Sequence, residues 1–123
     1  RPLATIRGWA SAGVDPVETG LAPTHALPKA LAKAGIAISD LQSVEINEAF
    51  ASMAVASTRI LGLDPEIVNV NGSGCSLGHP IGCTGARMIV TMVNELIRTD
   101  AQWGAVAMCA AGGMGSATVI ERV

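Results

Sequence analysis

The chain has 123 residues, one domain in size, and half of them are apolar. Its formal net charge of −2 and the lack of any Lys/Arg run leave no electrostatic footprint for nucleic acid. No apolar stretch reaches the length of a membrane span, and no charged-then-apolar leader opens the chain. Phe50, Trp9 and Trp103 are the only aromatic residues, so the core must be built from Ala, Val, Ile, Leu and Met, small enough for layers to approach closely. Three cysteines, an odd number, do not make a disulfide framework and fit a reducing compartment. The chain opens at Arg1 and its first methionine is Met53, so it is expected to be a piece of something longer.

In chain order, Leu3 to Ala12 reads as a strand with some alternation, and Gly13 to Thr24 as a loop marked by Gly13, Asp15, Pro16, Gly20 and Pro23. Ala26 to Ala34 predicts a short helix with Leu27, Leu31 and Ala34 on one face and Gly35 as its stop. Ser39-Asp40 opens a turn, and Ser43 to Ile46 is a short strand. From Asn47 to Leu61 the spacing of Phe50, Met53, Ala54, Ser57, Ile60 and Leu61 predicts a helix, stopped by Gly62. Glu66 to Val70 reads as a buried strand, and Asn71 to Gly78 as a Gly-rich loop. A second long helix is expected from Pro80 or Ile81 to Arg98, apolar over most of its circumference. Gly104 to Cys109 and Ser116 to Val123 are strands joined by the tight loop Ala110 to Gly115, an antiparallel hairpin. Five strands interleaved with helices predict an α/β fold: a mixed, mostly parallel sheet with helices on both faces.

Three segments carry groups able to do chemistry. Asn47-Glu48-Ala49-Phe50-Ala51 sits at a strand-to-helix junction, where open α/β sheets bind ligands. On this segment alone the structural reading is favoured, because Asn is a favoured N-cap and Glu suits a helix start. Gly78-His79-Pro80-Ile81-Gly82-Cys83-Thr84-Gly85 places a histidine among tightly spaced Gly and Pro at a helix entry, where the backbone can approach a ligand closely. Cys109-Ala110-Ala111-Gly112-Gly113-Met114-Gly115 places a thiol at a strand end before a flexible turn, although Cys is also a common buried residue. Cys75, His79 and Cys83 recur every four residues, as metal ligands on one helix face would. Gly78, Pro80 and Gly82 break any such helix, and no CxxC is present, so zinc is disfavoured. The Gly-rich stretches match no phosphate-binding loop. His25 reads as a surface residue in a Pro-bounded loop.

Taken together, the three segments resemble the C-terminal half of a thiolase over nearly the whole chain. Ala10-Ser11-Ala12-Gly13-Val14-Asp15-Pro16 is similar to that family's opening strand and loop. Asn47-Glu48-Ala49-Phe50, then Asn71-Gly72 with Leu77-Gly78-His79-Pro80, then Cys109 with Gly112-Gly113-Met114-Gly115 follow in the family's order. The resemblance implies a three-layer α-β-α domain with a five-stranded sheet. It also implies reversible Claisen chemistry on acyl-CoA: condensation of two acetyl-CoA to acetoacetyl-CoA, or cleavage of a 3-ketoacyl-CoA by CoA. His79 would activate a nucleophilic cysteine and help bind the thioester oxygen. Asn47 would hold a water that completes that oxyanion site. Cys109 would move a proton on and off the substrate, and the Ala111 N–H would donate to the acetyl-enzyme oxygen. No metal or organic cofactor is implied beyond the coenzyme A thioester itself, and the residues that would grip CoA are not identified.

The chain departs from the family in having Cys109-Ala110-Ala111 where Cys-x-Gly is frequent, which puts a methyl group beside the implied oxyanion site, and in having Cys75 and Cys83 where small residues are usual; these two cysteines are read as packing. None of the three cysteines has the Cys-x-Ser-Gly context of the family's nucleophile. That nucleophile belongs to an N-terminal domain of like topology, so the chain is expected to be inactive alone. The implied partners are acyl-CoA, that N-terminal domain and further copies of the complete enzyme, with no nucleic acid and no membrane. The implied location is cytoplasmic, or mitochondrial or peroxisomal in a eukaryote. The rival readings are a non-catalytic subunit of the same fold and a small metal-binding protein.

Overall fold

The computed structural model describes all residues from Arg1 to Val123. The first strand, β1 (Ala4–Gly13), pairs antiparallel with the last, and its register shifts between Ile6 and Gly8. One extra residue reverses which face each side chain meets. Ala4 before the shift and Ala10 and Ala12 after it therefore serve cores on opposite sides of the sheet. A 3-10 turn at Pro16–Leu21 leads into α1 (Ala22–Ala34), which starts four residues earlier than the sequence predicts and carries exposed His25 on the helix itself. Pro23 lies in the first turn, where its missing N–H costs nothing. Leu27 and Leu31 are buried on the expected face.

Strand β2 (Ser43–Ile46) has the predicted bounds. Helix α2 (Ala51–Ile60) does not: Asn47 to Phe50 stay outside it, and Phe50 is the extended N-cap with φ −140° and ψ 140°. The expected strand at Glu66–Val70 is absent. Pro65–Ile67 is a 3-10 turn, and only Val68 makes a single parallel bridge, to Val44. Asn69, with φ 53°, supplies the missing pairing through its side chain. Its Oδ1 accepts from the Ile46 N–H at 2.8 Å and its Nδ2 donates to the Ile46 carbonyl at 2.9 Å. One amide thus satisfies the open edge of β2 that a fifth strand would have covered.

After the single helical turn α3 (Gly74–Leu77) comes α4 (Thr84–Arg98), then the hairpin of β3 (Trp103–Ala110) and β4 (Met114–Arg122). The sheet has four strands rather than five, in the order β1-β4-β3-β2. Strands β2 and β3 are parallel, and β4 runs against both β1 and β3, so three of the four share one direction. Helices α1 and α2 cover one face over a core that includes Leu27, Ile46, Met53 and Val119. Helix α4 covers the other with a stripe of Met88, Met92 and Leu96 against Val106 and Ile120. The domain is therefore α-β-α layered, as expected. In this chain helix α4 is buried along one side only: the apolar residues Val90 and Ile97 on its outer side are exposed.

Candidate active site

Asn47 follows β2 directly. Its N–H donates to the Ala107 carbonyl at 2.9 Å, extending the parallel pairing with β3 by one residue. Because Ile46 pairs with Ala107, Asn47 and Cys109 come to the same end of neighbouring strands. This is the C-terminal end of the parallel pair, the ligand-binding side of such sheets. The Asn47 side chain is fully buried, and its Nδ2 lies 3.4 Å from His79 Nε2. Its Oδ1 is buried without a partner in this chain. Asn47 is thus not a helix cap, which removes the structural reading of this residue.

The chain after Asn47 is held by the loop that carries His79. Glu48 Oε2 accepts from the Cys75 N–H at 3.0 Å, and the Glu48 N–H donates to Ser73 Oγ at 3.3 Å. Ser73 Oγ in turn donates to the Ile46 carbonyl at 3.3 Å. Only glycine fits at position 74, because a Cβ there would sit 2.5 Å from the Glu48 carbonyl oxygen and 3.2 Å from Asn47 Oδ1. Further along the same loop, Asn71 Nδ2 donates to Glu95 Oε2 at 2.9 Å, pinning the loop to α4.

His79 is exposed, but its ring is anchored on both nitrogens: Nε2 against Asn47, and Nδ1 2.6 Å from Oγ1 of buried Thr84, the first residue of α4. Under the same helix start, Arg87 pairs with buried Glu45 at 2.5 Å. Burial pushes the Glu45 carboxyl up, and Arg87 offsets this only in part.

Cys109 is half-buried near the end of β3, with Sγ 3.6 Å from Met53 Sδ of α2. Burial pushes its thiol up, opposed only by a backbone hydrogen bond. Its neighbour is a thioether, so desolvation dominates and the thiol stays protonated at neutral pH. Ala111 is exposed in the hairpin turn that follows. Gly112 and Gly113 take the positive φ values of that turn, 83° and 82°. The Gly113 N–H donates to Thr19 Oγ1 at 2.6 Å, and its carbonyl accepts from the Val14 N–H at 2.7 Å. The turn beyond Cys109 is therefore tied to the loop after β1.

Cys75 and Cys83 are exposed, not packed as the sequence reading expects. Cys75 lies in the single turn α3 with Sγ 3.9 Å from the Glu48 carbonyl, and Cys83 precedes α4. Cys75, His79 and Cys83 do not converge: no cluster of three His, Cys, Asp or Glu side chains has metal-binding geometry. Sequence reasoning singled out Asn47, His79 and Cys109 but missed Ser73, Gly74, Thr84 and Met53. A Gly after Ser in the loop was the one visible signal for a close approach. Thr84 and Met53 look like ordinary helix residues until the helices are placed.

The domain is α-β-α layered, with buried Asn47 set against exposed His79 and a thiol near the end of its parallel strands, and the comparisons name its family. The family described as "Thiolase, C-terminal domain" matches residues 1–122. Over 123 residues the chain is 51% identical to an acetyl-CoA acetyltransferase of Schizosaccharomyces pombe and 50% identical to a beta-ketothiolase of Cupriavidus necator, covering all of this chain and 31% of each relative. The crystal structure of the Bacillus anthracis acetyl-CoA acetyltransferase superposes with a TM-score of 0.97 at 48% identity, covering all of this chain and 31% of that one. The chain belongs to the thiolase C-terminal domain family. It spans about a third of the length of the curated relatives it matches. Other relatives carry names placing them in the cytosol or the peroxisome, and no helix of the structure is long and apolar enough to cross a membrane.

Proposed function

We propose that this chain forms the acid–base half of an acyl-CoA C-acyltransferase, acting once joined to a domain that supplies a nucleophilic cysteine. The observation that carries the reading is the buried Asn47 amide set against His79 Nε2 at the open end of β2. His79 takes the proton of the incoming thiol through Nε2. The N–H so formed then faces the thioester oxygen, where charge develops during acyl transfer and again in the enolate. A preorganised donor aimed at such an oxygen lowers the barrier by about 3–4 kcal/mol. The unpartnered Asn47 Oδ1 supports a role in holding a water beside it.

Cys109 acts as the proton carrier. As a neutral thiol it protonates the departing CoA sulfur and is left as a thiolate; that thiolate removes the α-proton of the second acyl-CoA, which restores the thiol. A thiol raised by desolvation is disfavoured as a resting thiolate but is a stronger base when formed, as abstraction of a weakly acidic C–H requires. The Ala111 N–H is the proposed donor to the acyl-enzyme oxygen. Apart from the nucleophilic cysteine of the joined domain, every step uses this chain's own groups and the CoA thioester, with no metal or organic cofactor assigned.

The exposed apolar side chains Leu3, Ile6 and Val90 border a groove of about 420 Å³ between β1 and α4. This is the proposed seat of the nucleophile domain, since an apolar groove of that kind favours cover. The full-length enzyme is proposed to act as a homo-oligomer in a reducing compartment: the cytoplasm, or the mitochondrion or peroxisome of a eukaryote. The test joins the chain to a thiolase N-terminal domain and follows acetoacetyl-CoA thiolysis. The joined protein is expected to turn over and the 123-residue chain alone is not. Turnover by the lone chain, or none from a folded joined protein, rejects the reading. A non-catalytic subunit, the rival reading, predicts no loss when His79 is replaced.

A further inference from the structure

We infer that Thr84 is a positioning residue that sets the tautomer of His79, holding the ring proton on Nδ1 so that Nε2 presents a lone pair to the reaction. The inference builds on the acyl-transfer reading above but rests on its own geometry. Thr84 Oγ1 lies 2.6 Å from His79 Nδ1 and 3.1 Å from the Pro80 carbonyl. A hydroxyl has one proton to give. The carbonyl can only accept, so donation to Pro80 leaves Oγ1 to accept from an Nδ1–H. On the far side of the ring, the Asn47 amide directs Nδ2, a donor, at Nε2. Two contacts from different elements therefore select the same tautomer, the one whose Nε2 carries a lone pair, met at rest by the Asn47 donor and able to take a proton.

Thr84 is built to hold this arrangement. It is 1% exposed, so water cannot replace the hydroxyl. It opens α4, and its own N–H donates to the same Pro80 carbonyl at 3.0 Å, which fixes the direction of the side chain. A histidine between Gly78 and Pro80, itself exposed, has little else to choose its ring state. The partner of one imidazole nitrogen decides what the other can do.

The tautomer can be read without any assay of activity. The chain has two histidines, and exposed His25 serves as the internal reference. Two-bond ¹H–¹⁵N correlation spectra of the ¹⁵N-histidine-labelled chain at alkaline pH are expected to show His79 protonated on Nδ1. Thr84→Ser should keep that pattern, whereas Thr84→Val should move the proton toward Nε2. In the joined enzyme, Thr84→Val should lower kcat about 10- to 100-fold, the usual cost of losing the partner that orients a functional histidine, with KM little changed. Thr84→Ser should restore most of it. An Nε2–H tautomer in the unsubstituted chain overturns the inference, as does a Thr84→Val variant with unaltered tautomer and kcat. A joined enzyme that never turns over rejects the acyl-transfer reading instead, and the spectra still decide the role of Thr84.

Discussion

The two proposed proton-handling groups at the end of the sheet are prepared in opposite ways. His79 is exposed and held by hydrogen bonds, with Asn47 on one ring nitrogen and Thr84 on the other. Cys109 is half-buried and held by exclusion of water, against Met53 and the core under α1 and α2. Direction is what the imidazole needs, because either nitrogen can carry its proton. A thiol has only one atom to titrate, so its environment acts on strength rather than aim. The difference teaches that a polar network and an apolar wall can serve one reaction when each is matched to the group it holds.

Breaking the directed side should have the largest effect. In the joined enzyme His79→Ala is expected to reduce kcat by several orders of magnitude, since on the proposed roles it removes both the thiol-activating base and an oxyanion donor. Steady-state thiolysis measures this, and a loss under tenfold would separate His79 from the chemistry. On the apolar side, Cys109→Ala should abolish exchange of the acetyl-CoA methyl protons with solvent, followed by NMR in deuterium oxide. Retained exchange at the unsubstituted rate would take Cys109 out of the base role.

A milder disturbance reaches the directed side through its backbone. Gly74→Ala introduces a Cβ 2.5 Å from the Glu48 carbonyl and should cost about 1–3 kcal/mol in denaturant unfolding, with a loss of kcat because Asn47 must shift. Unchanged stability and rate would show that the loop yields freely.

The smallest effects are in pH dependence, and they differ in sign. Burial raises Cys109, so the folded state holds the thiol proton more tightly than the unfolded state. Its contribution to stability is complete below the ordinary thiol range and is lost as pH rises through the raised value. Cys109→Ala should flatten the alkaline limb of the unfolding midpoint. Glu95 behaves oppositely: its hydrogen bond from Arg98 lowers it against the cost of burial, with Asn71 adding to the shift. Its contribution is present above the ordinary carboxylate range and lost as pH falls through the lowered value, so Glu95→Gln should flatten the acid limb. Urea titrations across pH, each compared with the unsubstituted chain, check both.

Much of this was legible before folding. The Ser43–Ile46 strand, the Leu27–Leu31 face, the closing hairpin and the three motif residues follow from periodicity, stop signals and motif order. The misses share a cause. Asn47 to Phe50 has a helical pattern, yet tertiary bonds from Glu48 to Ser73 and Cys75 keep it out of the helix until Ala51. Glu66–Val70 has the composition of a strand, yet the Asn69 side chain satisfies the edge of β2 in its place. Local propensity is worth tenths of a kilocalorie per residue, and such long-range hydrogen bonds outweigh it.

By itself, then, the sequence determined the layered α/β class and the family, and singled out Asn47, His79 and Cys109 as candidates. These depend on residue type and order along the chain. Only the tertiary structure decided how each is prepared: Asn47 as a buried donor rather than a cap, His79 braced by Thr84, and Cys109 held as a thiol by Met53 and the core. The physical reason is that proton position and thiol strength are set by neighbours distant in sequence or brought close by a turn, and those neighbours exist only once the strands and helices have packed.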